Sequence, residues 1–117
     1  MESFLGVNSH FKGEINLKGT LRVDGQVDGL LNADYVILSE SAFVQGEIKA
    51  KKIIIGGKVE GILRAQELVE IKSKGRVLGD VFTHKLAVTE GGEFTGKIEM
   101  KREEAKIIGL ELKDQKA

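Results

Sequence analysis

A short pattern centred on glycine recurs six times along the chain, and this repeat limits the possible folds more than any other feature. Each copy consists of an apolar residue, a variable residue, glycine, a variable residue and a second apolar residue, as in residues 44–48. The six glycines, which lie 15 to 18 residues apart, are Gly13, Gly29, Gly46, Gly61, Gly79 and Gly96. Self-similarity at a nearly fixed period is typical of solenoids, in which one small unit is repeated and stacked.

A second apolar segment lies between successive copies of the glycine pattern. Its apolar residues are two positions apart, as at Ile53 and Ile55, and a period of two is typical of a β-strand with one buried face. Turn-forming residues such as Gly56-Gly57 separate the segments, so each strand is short. Because one copy has too few inward-facing side chains to form a core, the copies must stack on one another.

Stacked copies would be joined by parallel strands about 4.8 Å apart. We therefore predict an all-β fold, a single parallel β-helix of about six coils with short flexible termini. Only 5% of the residues are aromatic, which fits a narrow core of Val, Ile and Leu. We expect the β-helix to span residues 5–100, after a short N-terminal tail at 1–4 and before a charged C-terminal tail at 101–117. This last segment could be disordered, form a short helix, or add a strand that uses Ile108, Leu110 and Leu112.

The glycines of the repeat occupy positions at which a core side chain would be expected. Glycine weakens a strand unless something replaces the lost packing. We predict that the coil bends at these positions, or that the opposite wall lies too close for a Cβ atom. A turn that requires a positive φ angle is the alternative explanation.

The composition argues against most ligand-dependent functions. The 18 basic and 18 acidic residues balance, so no positive field would attract nucleic acid. There is no cysteine, His10 and His84 lack companion ligands at metal-binding spacing, and the paired glycines are not followed by the lysine of a phosphate-binding loop. We expect no enzymatic activity, no metal, no cofactor and no nucleotide. No apolar run is long enough to span a bilayer, so we expect a cytoplasmic protein.

Six ordered stretches of the chain resemble the bactofilin family. They are Phe11-Lys12-Gly13-Glu14, Leu21-Arg22-Val23-Asp24-Gly25-Gln26-Val27-Asp28-Gly29, Gly46-Glu47-Ile48-Lys49-Ala50, Ile53-Ile54-Ile55-Gly56-Gly57-Lys58-Val59-Glu60-Gly61, Gly79-Asp80-Val81 and Leu86-Ala87-Val88-Thr89-Glu90-Gly91-Gly92-Glu93-Phe94-Thr95-Gly96. The likeness extends over residues 5–100. It implies a right-handed β-helix that assembles in the bacterial cytoplasm, without nucleotide, into non-polar filaments. It also implies a scaffold role in cell shape, in the placement of cell-wall enzymes or in polar organisation.

The main partner implied by the resemblance is the protein itself, with cell-wall enzymes or polarity proteins as further partners. Members of the family often carry an N-terminal membrane-targeting segment, whereas only Met1 to Ser3 precede the region of likeness here. We therefore expect any direct membrane contact to be weak and peripheral, at the inner membrane.

The two ends of a β-helix carry unpaired strand edges and uncovered core side chains, which favour pairing with another copy. We predict that polymerisation uses both ends. The predicted N-terminal interface consists of Phe4, Leu5, Val7, Phe11 and Ile15, and the predicted C-terminal interface of Phe94, Ile98 and Met100. Head-to-tail joining would give a polar filament, whereas alternating head-to-head and tail-to-tail joining would give a non-polar one. The resemblance favours the non-polar arrangement.

Some apolar residues fall at outward-facing positions of the predicted strands. They are Leu30, Ile37, Ile54, Ile62, Leu78 and Phe82. Scattered exposed apolar residues are normal, but these could instead form a lateral strip for bundling, for a partner or for a membrane. The alternative function is therefore a monomeric β-helical rod that presents such a strip to a protein or a glycan. A hexapeptide-repeat acyltransferase would need strict six-residue spacing and a catalytic histidine at a subunit interface, and neither pattern is visible.

Overall fold

A computed structural model describes residues 2–100 together with the backbone of residues 106–108. These residues form eleven β-strands and no helix. The strands are β1 (Glu2–Leu5), β2 (His10–Asn16), β3 (Thr20–Val23), β4 (Gln26–Asn32), β5 (Tyr35–Leu38), β6 (Phe43–Ile55), β7 (Lys58–Ile71), β8 (Arg76–Thr83), β9 (Lys85–Val88), β10 (Glu93–Met100) and β11 (Lys106–Ile108). The long strands β6 and β7 each continue from one coil into the next.

Every pairing between these strands is parallel, and paired residues lie one repeat apart along the chain. The six glycines of the repeat are successive partners and form one column along the whole molecule. The first coil contains β1 and β2, and the sixth contains β9 and β10. The prediction of an all-β solenoid with about six parallel coils is confirmed.

The core consists of columns of aliphatic side chains, one from each coil. Leu21, Val36 and Ile53 are successive partners in one column and are at most 1% exposed. Alternate residues of a strand point to opposite faces, so the period of two in the sequence places these side chains inside. Burial of one such side chain contributes about 1.5–3 kcal/mol. Stacking therefore provides the stability that a single coil could not reach alone.

The glycine column is explained by the backbone of the neighbouring coil. Gly46 has a φ of +136°, and a Cβ atom added to it would overlap the carbonyl oxygen of Gly29 on the preceding coil. The other glycines of the column have φ between 134° and 143°. The prediction that the opposite wall excludes a side chain is wrong, because the excluding atoms belong to the neighbouring coil. The positive φ of the alternative explanation is present, although it occurs within strands and not in turns.

The chain termini contribute strands to the solenoid. Residues 2–4, expected as part of a flexible tail, belong to β1, which pairs with β3. Strand β11 pairs with β9 and so begins a further coil, as in the third of our alternatives for the C-terminal segment. Residues 101–105 and 109–117, which include Leu110 and Leu112, lie outside the described residues.

Candidate assembly interfaces

The N-terminal end of the solenoid has open strand edges. Strand β1 pairs only with β3, and β2 pairs only with β4, within the part of the chain that the structure describes. The outer edges of β1 and β2 therefore carry backbone N–H and C=O groups without a strand partner. Such edges can pair with a strand of another chain.

Apolar side chains are also accessible at this end. Phe4 is 61% exposed and Val7 is 59% exposed. Leu5, Phe11 and Ile15 are half-buried and pack against the core from one side only. By comparison, Val27 and Val44, which follow Phe11 in its column, are fully buried. The structure thus places all five residues of the predicted N-terminal interface in the first coil, and no other described coil covers them.

The C-terminal end exposes a second group of core residues. Phe94, Ile98 and Met100 are half-buried members of β10, whereas the corresponding residues of β8, Val77, Val81 and Thr83, are buried. Among the described residues, no strand pairs with the outer edge of β10. The outer edge of β9, in contrast, is paired with β11. Within the described residues both ends therefore have an unpaired strand edge, but the two ends are not equivalent.

Polar side chains of β2 form hydrogen bonds at the N-terminal end. His10 Nε2 lies 3.1 Å from Asp28 Oδ2, and Asn32 Nδ2 donates a hydrogen bond of 3.1 Å to Asn16 Oδ1. Asn16 Nδ2 in turn donates a hydrogen bond of 2.9 Å to Glu14 Oε2. These contacts connect the first coil to the second and fix the position of the Glu14 carboxylate.

An ion pair between β3 and the turn that follows it lies next to the exposed Phe4. Arg22 Nε donates a hydrogen bond of 2.9 Å to Asp24 Oδ1, and the Arg22 guanidinium carbon lies 6.0 Å from the centre of the Phe4 ring. The hydrogen bond from Arg22 is the main reason why the pKa of Asp24 is lower than its usual value. Ser41 Oγ donates a hydrogen bond of 2.7 Å to the Asp24 carbonyl oxygen, which ties this turn to the next coil.

The predicted lateral residues lie on different strand segments of the coil. Ile37 and Ile54 are half-buried partners in adjacent coils. Leu30 and Ile62 follow the glycine column, with Glu47 between them.

The remaining two lateral residues lie on opposite sides of the glycine column in β8. Leu78 precedes the glycine column and is 48% exposed, with Glu60 as its partner in β7. The ring of Phe82 lies beneath the guanidinium group of Arg64, whose Cζ is 4.6 Å from the ring centre. The six residues therefore occupy three separate segments of the coil and do not form one continuous strip.

A groove that we did not predict runs along the corner between the second strand segment of one coil and the first of the next. Its volume is about 790 Å³. Its lining includes the buried Ala33, Ala50 and Ala65 and the exposed Lys49, Lys51 and Arg64. The sequence contains a signal for it, because each alanine follows an inward-facing Leu or Ile by two positions and so leaves a column of small side chains.

No group of three or more His, Cys, Asp or Glu side chains among the described residues is arranged to hold a metal ion. The same residues contain no helix of the length and apolar character that crossing a bilayer requires.

A parallel β-solenoid with open edges and accessible core residues at both ends is a module suited to end-to-end association. Comparison with known proteins gives its family. The bactofilin family, described as polymer-forming and cytoskeletal, matches residues 3–99. The chain belongs to the bactofilin family, which confirms the resemblance found in the sequence.

Two relatives come from Myxococcus xanthus (strain DK1622). Bactofilin BacP is 29% identical over 97 residues, which cover 82% of this chain and 40% of BacP. Bactofilin BacO is 29% identical over 100 residues, which cover 86% of this chain and 68% of BacO. The chain thus spans less than half the length of BacP. No solved structure matches the chain.

Proposed function

We propose that this protein is a structural cytoskeletal protein that assembles end to end into non-polar filaments. The β-helix, residues 5–100, acts as the polymerisation domain. The observation that carries the proposal is that, in the part of the chain that the structure describes, both ends combine open strand edges with half-buried apolar core residues. Joining two ends would complete both the hydrogen bonding of the edges and the burial of the core.

The size of the end faces supports joining through backbone pairing as well as apolar contact. The two smaller dimensions of the molecule, 26 and 19 Å, limit one end face to about 500 Å². Two joined faces would bury about 1,000 Å² in total, which is near the lower limit for a specific interface. Paired strand edges would add directional hydrogen bonds and so fix the register of the joint.

Assembly of this kind needs no nucleotide, cofactor or catalytic step, because the free energy comes from burial and strand pairing at the joint. We accordingly propose a non-enzymatic role. The sides of the rod stay accessible in such a filament, including the alanine-lined groove and the Ile37 and Ile54 pair. We propose that these sides act as a cytoplasmic scaffold for cell-wall enzymes or polarity proteins, with a role in cell shape. Any membrane contact would be peripheral, at the inner membrane.

Substitutions that place a charge at one end test the proposal. We expect Phe94→Arg or Ile98→Arg to give a folded protein that assembles no further than a dimer joined through its N-terminal ends. Phe11→Arg is expected to block the other end, again leaving at most a dimer. Light scattering after size-exclusion chromatography, in buffer free of nucleotide, measures the sizes.

The matched control is Leu78→Arg, which adds the same charge at an exposed position on the side of the rod. We expect this variant to form filaments. Filaments of normal length from both Phe94→Arg and Phe11→Arg would contradict the proposal. A wild-type protein that stays monomeric at high concentration would instead favour a monomeric binding rod.

A further inference from the structure

We infer that the N-terminal end joins to the N-terminal end of a second copy about a two-fold axis, with β2 antiparallel to its copy and Gly13 at the centre. This inference rests on the proposed end-to-end assembly. It goes further by giving the register of the joint, the residues that pair across it and the order in which the two kinds of joint form.

The sequence of β2 is complementary to itself in this register. When two copies of β2 run antiparallel about Gly13, Phe11 faces Ile15 of the second copy and Lys12 faces Glu14 of the second copy. Phe11 and Ile15 are both core-facing, so the apolar side of one strand meets the apolar side of the other. The two-fold axis repeats each contact, and the joint therefore contains two pairs of opposite charge.

Lys12 and Glu14 are available for these pairs. Both side chains are exposed, and within the described part of the chain Lys12 makes no ion pair. Asn16 holds the Glu14 carboxylate through a hydrogen bond of 2.9 Å. Opposite charges directly across an antiparallel pair stabilise it, and like charges destabilise it.

The absence of a side chain at Gly13 also leaves room for a strand of the second copy at the outer edge of β2. A Cβ atom at Gly13 would meet only the ring of Phe11, at 3.5 Å, because no described coil precedes it. Its φ of +134° is nevertheless that of the interior glycines. The first coil therefore presents a glycine without a Cβ at the centre of the predicted contact.

Strand β1 supports the same axis independently. Antiparallel pairing of β1 about Phe4 places Phe4 against Phe4 of the second copy and Leu5 against Ser3 of the second copy. Phe4, at 61% exposed, has the highest exposure among the large apolar side chains of the described residues. A joint in this register would bury both Phe4 rings.

The C-terminal end is not complementary to itself in the equivalent register. Antiparallel pairing of β10 about Gly96 would place Glu93 opposite Glu99 of the second copy, twice in each joint. Arg76 Nε, 3.4 Å from Glu93 Oε1, offsets part of this repulsion. The N-terminal joint is therefore the stronger of the two, so dimers joined at their N-terminal ends form first. Filaments then grow by joining C-terminal ends, and this second step is favoured by salt, which screens the carboxylates.

Head-to-tail joining predicts a different set of pairs. A second copy stacked in register on the last coil would place its Glu14 above Lys97 and its His10 above Glu93. Exchanging the charges of Lys12 and Glu14 within one chain preserves the two-fold joint and disrupts the head-to-tail joint. Exchanging Glu14 and Lys97 has the opposite effect.

Charge-exchange variants test the register. In an Ile98→Arg chain, which limits assembly to the N-terminal joint, we expect Lys12→Glu alone or Glu14→Lys alone to weaken the dimer by about tenfold or more. The double variant Lys12→Glu/Glu14→Lys should return the dissociation constant to within about threefold of the starting value. Sedimentation equilibrium at low salt measures these constants, and melting temperatures verify that the folds are equally stable, since Glu at position 12 would face Asp28.

Two results would overturn the inference. One is a double variant that dimerises no better than the single variants. The other concerns the chain that keeps Ile98. If Glu14→Lys alone prevents filaments there and Glu14→Lys/Lys97→Glu restores them, the subunits join head to tail. If the wild-type protein forms no polymer at all, the proposed function fails, and that outcome is distinct from a polymer with a different joint.

Discussion

At the scale of single residues, the glycine column shows how a repeat can be fixed by contacts between coils. Gly46 needs a positive φ and has no room for a Cβ next to the Gly29 carbonyl. A Cβ atom at each interior glycine of the column would meet the backbone of the coil before it. This contact explains why the repeat keeps glycine at this position.

We predict that Gly46→Ala destabilises the protein by about 3 kcal/mol or more, because backbone strain and overpacking each cost about 1–3 kcal/mol. Gly13→Ala is the matched control, since it introduces the same φ strain but its Cβ meets only the Phe11 ring. It should cost clearly less. Denaturant unfolding of both variants in an end-blocked Ile98→Arg chain, at a protein concentration too low for the N-terminal joint to form, measures the difference. Equal losses of stability would show that coil stacking does not explain the column.

A second prediction at this scale concerns the pair formed by Arg22 and Asp24. Since the pKa of Asp24 is lowered in the folded protein, its carboxylate contributes stability above the usual value of 3.8, and this contribution is lost as the pH falls through the lowered pKa. Asp24→Asn should therefore melt at a lower temperature than the wild type near neutral pH. The two melting temperatures should converge when the pH is well below 3.8.

The control for this prediction is Arg22→Gln, which removes the partner. In that background Asp24→Asn should have little effect at either pH. A constant difference between Asp24→Asn and its parent across the whole pH range would mean that the ion pair is not its cause.

At the scale of elements, the strands and their stacking can be predicted from the sequence. The side of the coil on which each strand lies cannot. The alternation at Val36 and Leu38 identifies β5, and the shared glycine pattern gives the register between coils. The lateral residues show what the sequence does not predict. Coils of 15 to 18 residues turn at slightly different points, so the side on which Leu78 or Phe82 emerges depends on the folded coil.

Other features could not be predicted because they depend on atoms of a neighbouring coil. The exclusion of a Cβ at Gly46 arises from the backbone of the coil before it, which a single repeat does not reveal. Strand β1 forms from Glu2 onwards because it pairs with β3, although so short a segment has little strand signal of its own. The groove likewise exists only because three alanines from successive coils align.

The open ends belong to the same scale, and here the sequence was more informative. Its first and last repeats contain the same apolar positions as the interior repeats, so they predict core residues that lack a covering coil. The structure places all of these residues at the two ends, half-buried or exposed. Their participation in polymerisation remains a prediction that the end substitutions test.

At the scale of the whole molecule, the balance of charge and the open ends favour self-association. A net charge of 0 provides little long-range repulsion between copies. Both ends are open in the described residues, so addition of one subunit creates a new end for the next. A chain with one sealed end would stop at a dimer, which is the behaviour expected of the end-blocked variants.

Negative-stain electron microscopy of the purified protein, in buffer without nucleotide, tests the central claim most directly. We expect unbranched filaments about one subunit wide, with an axial repeat of two subunit lengths, roughly 60–75 Å, because alternate subunits are inverted. Small, uniform particles at high protein concentration would contradict end-to-end assembly. Filaments with a repeat of a single subunit would contradict the non-polar arrangement.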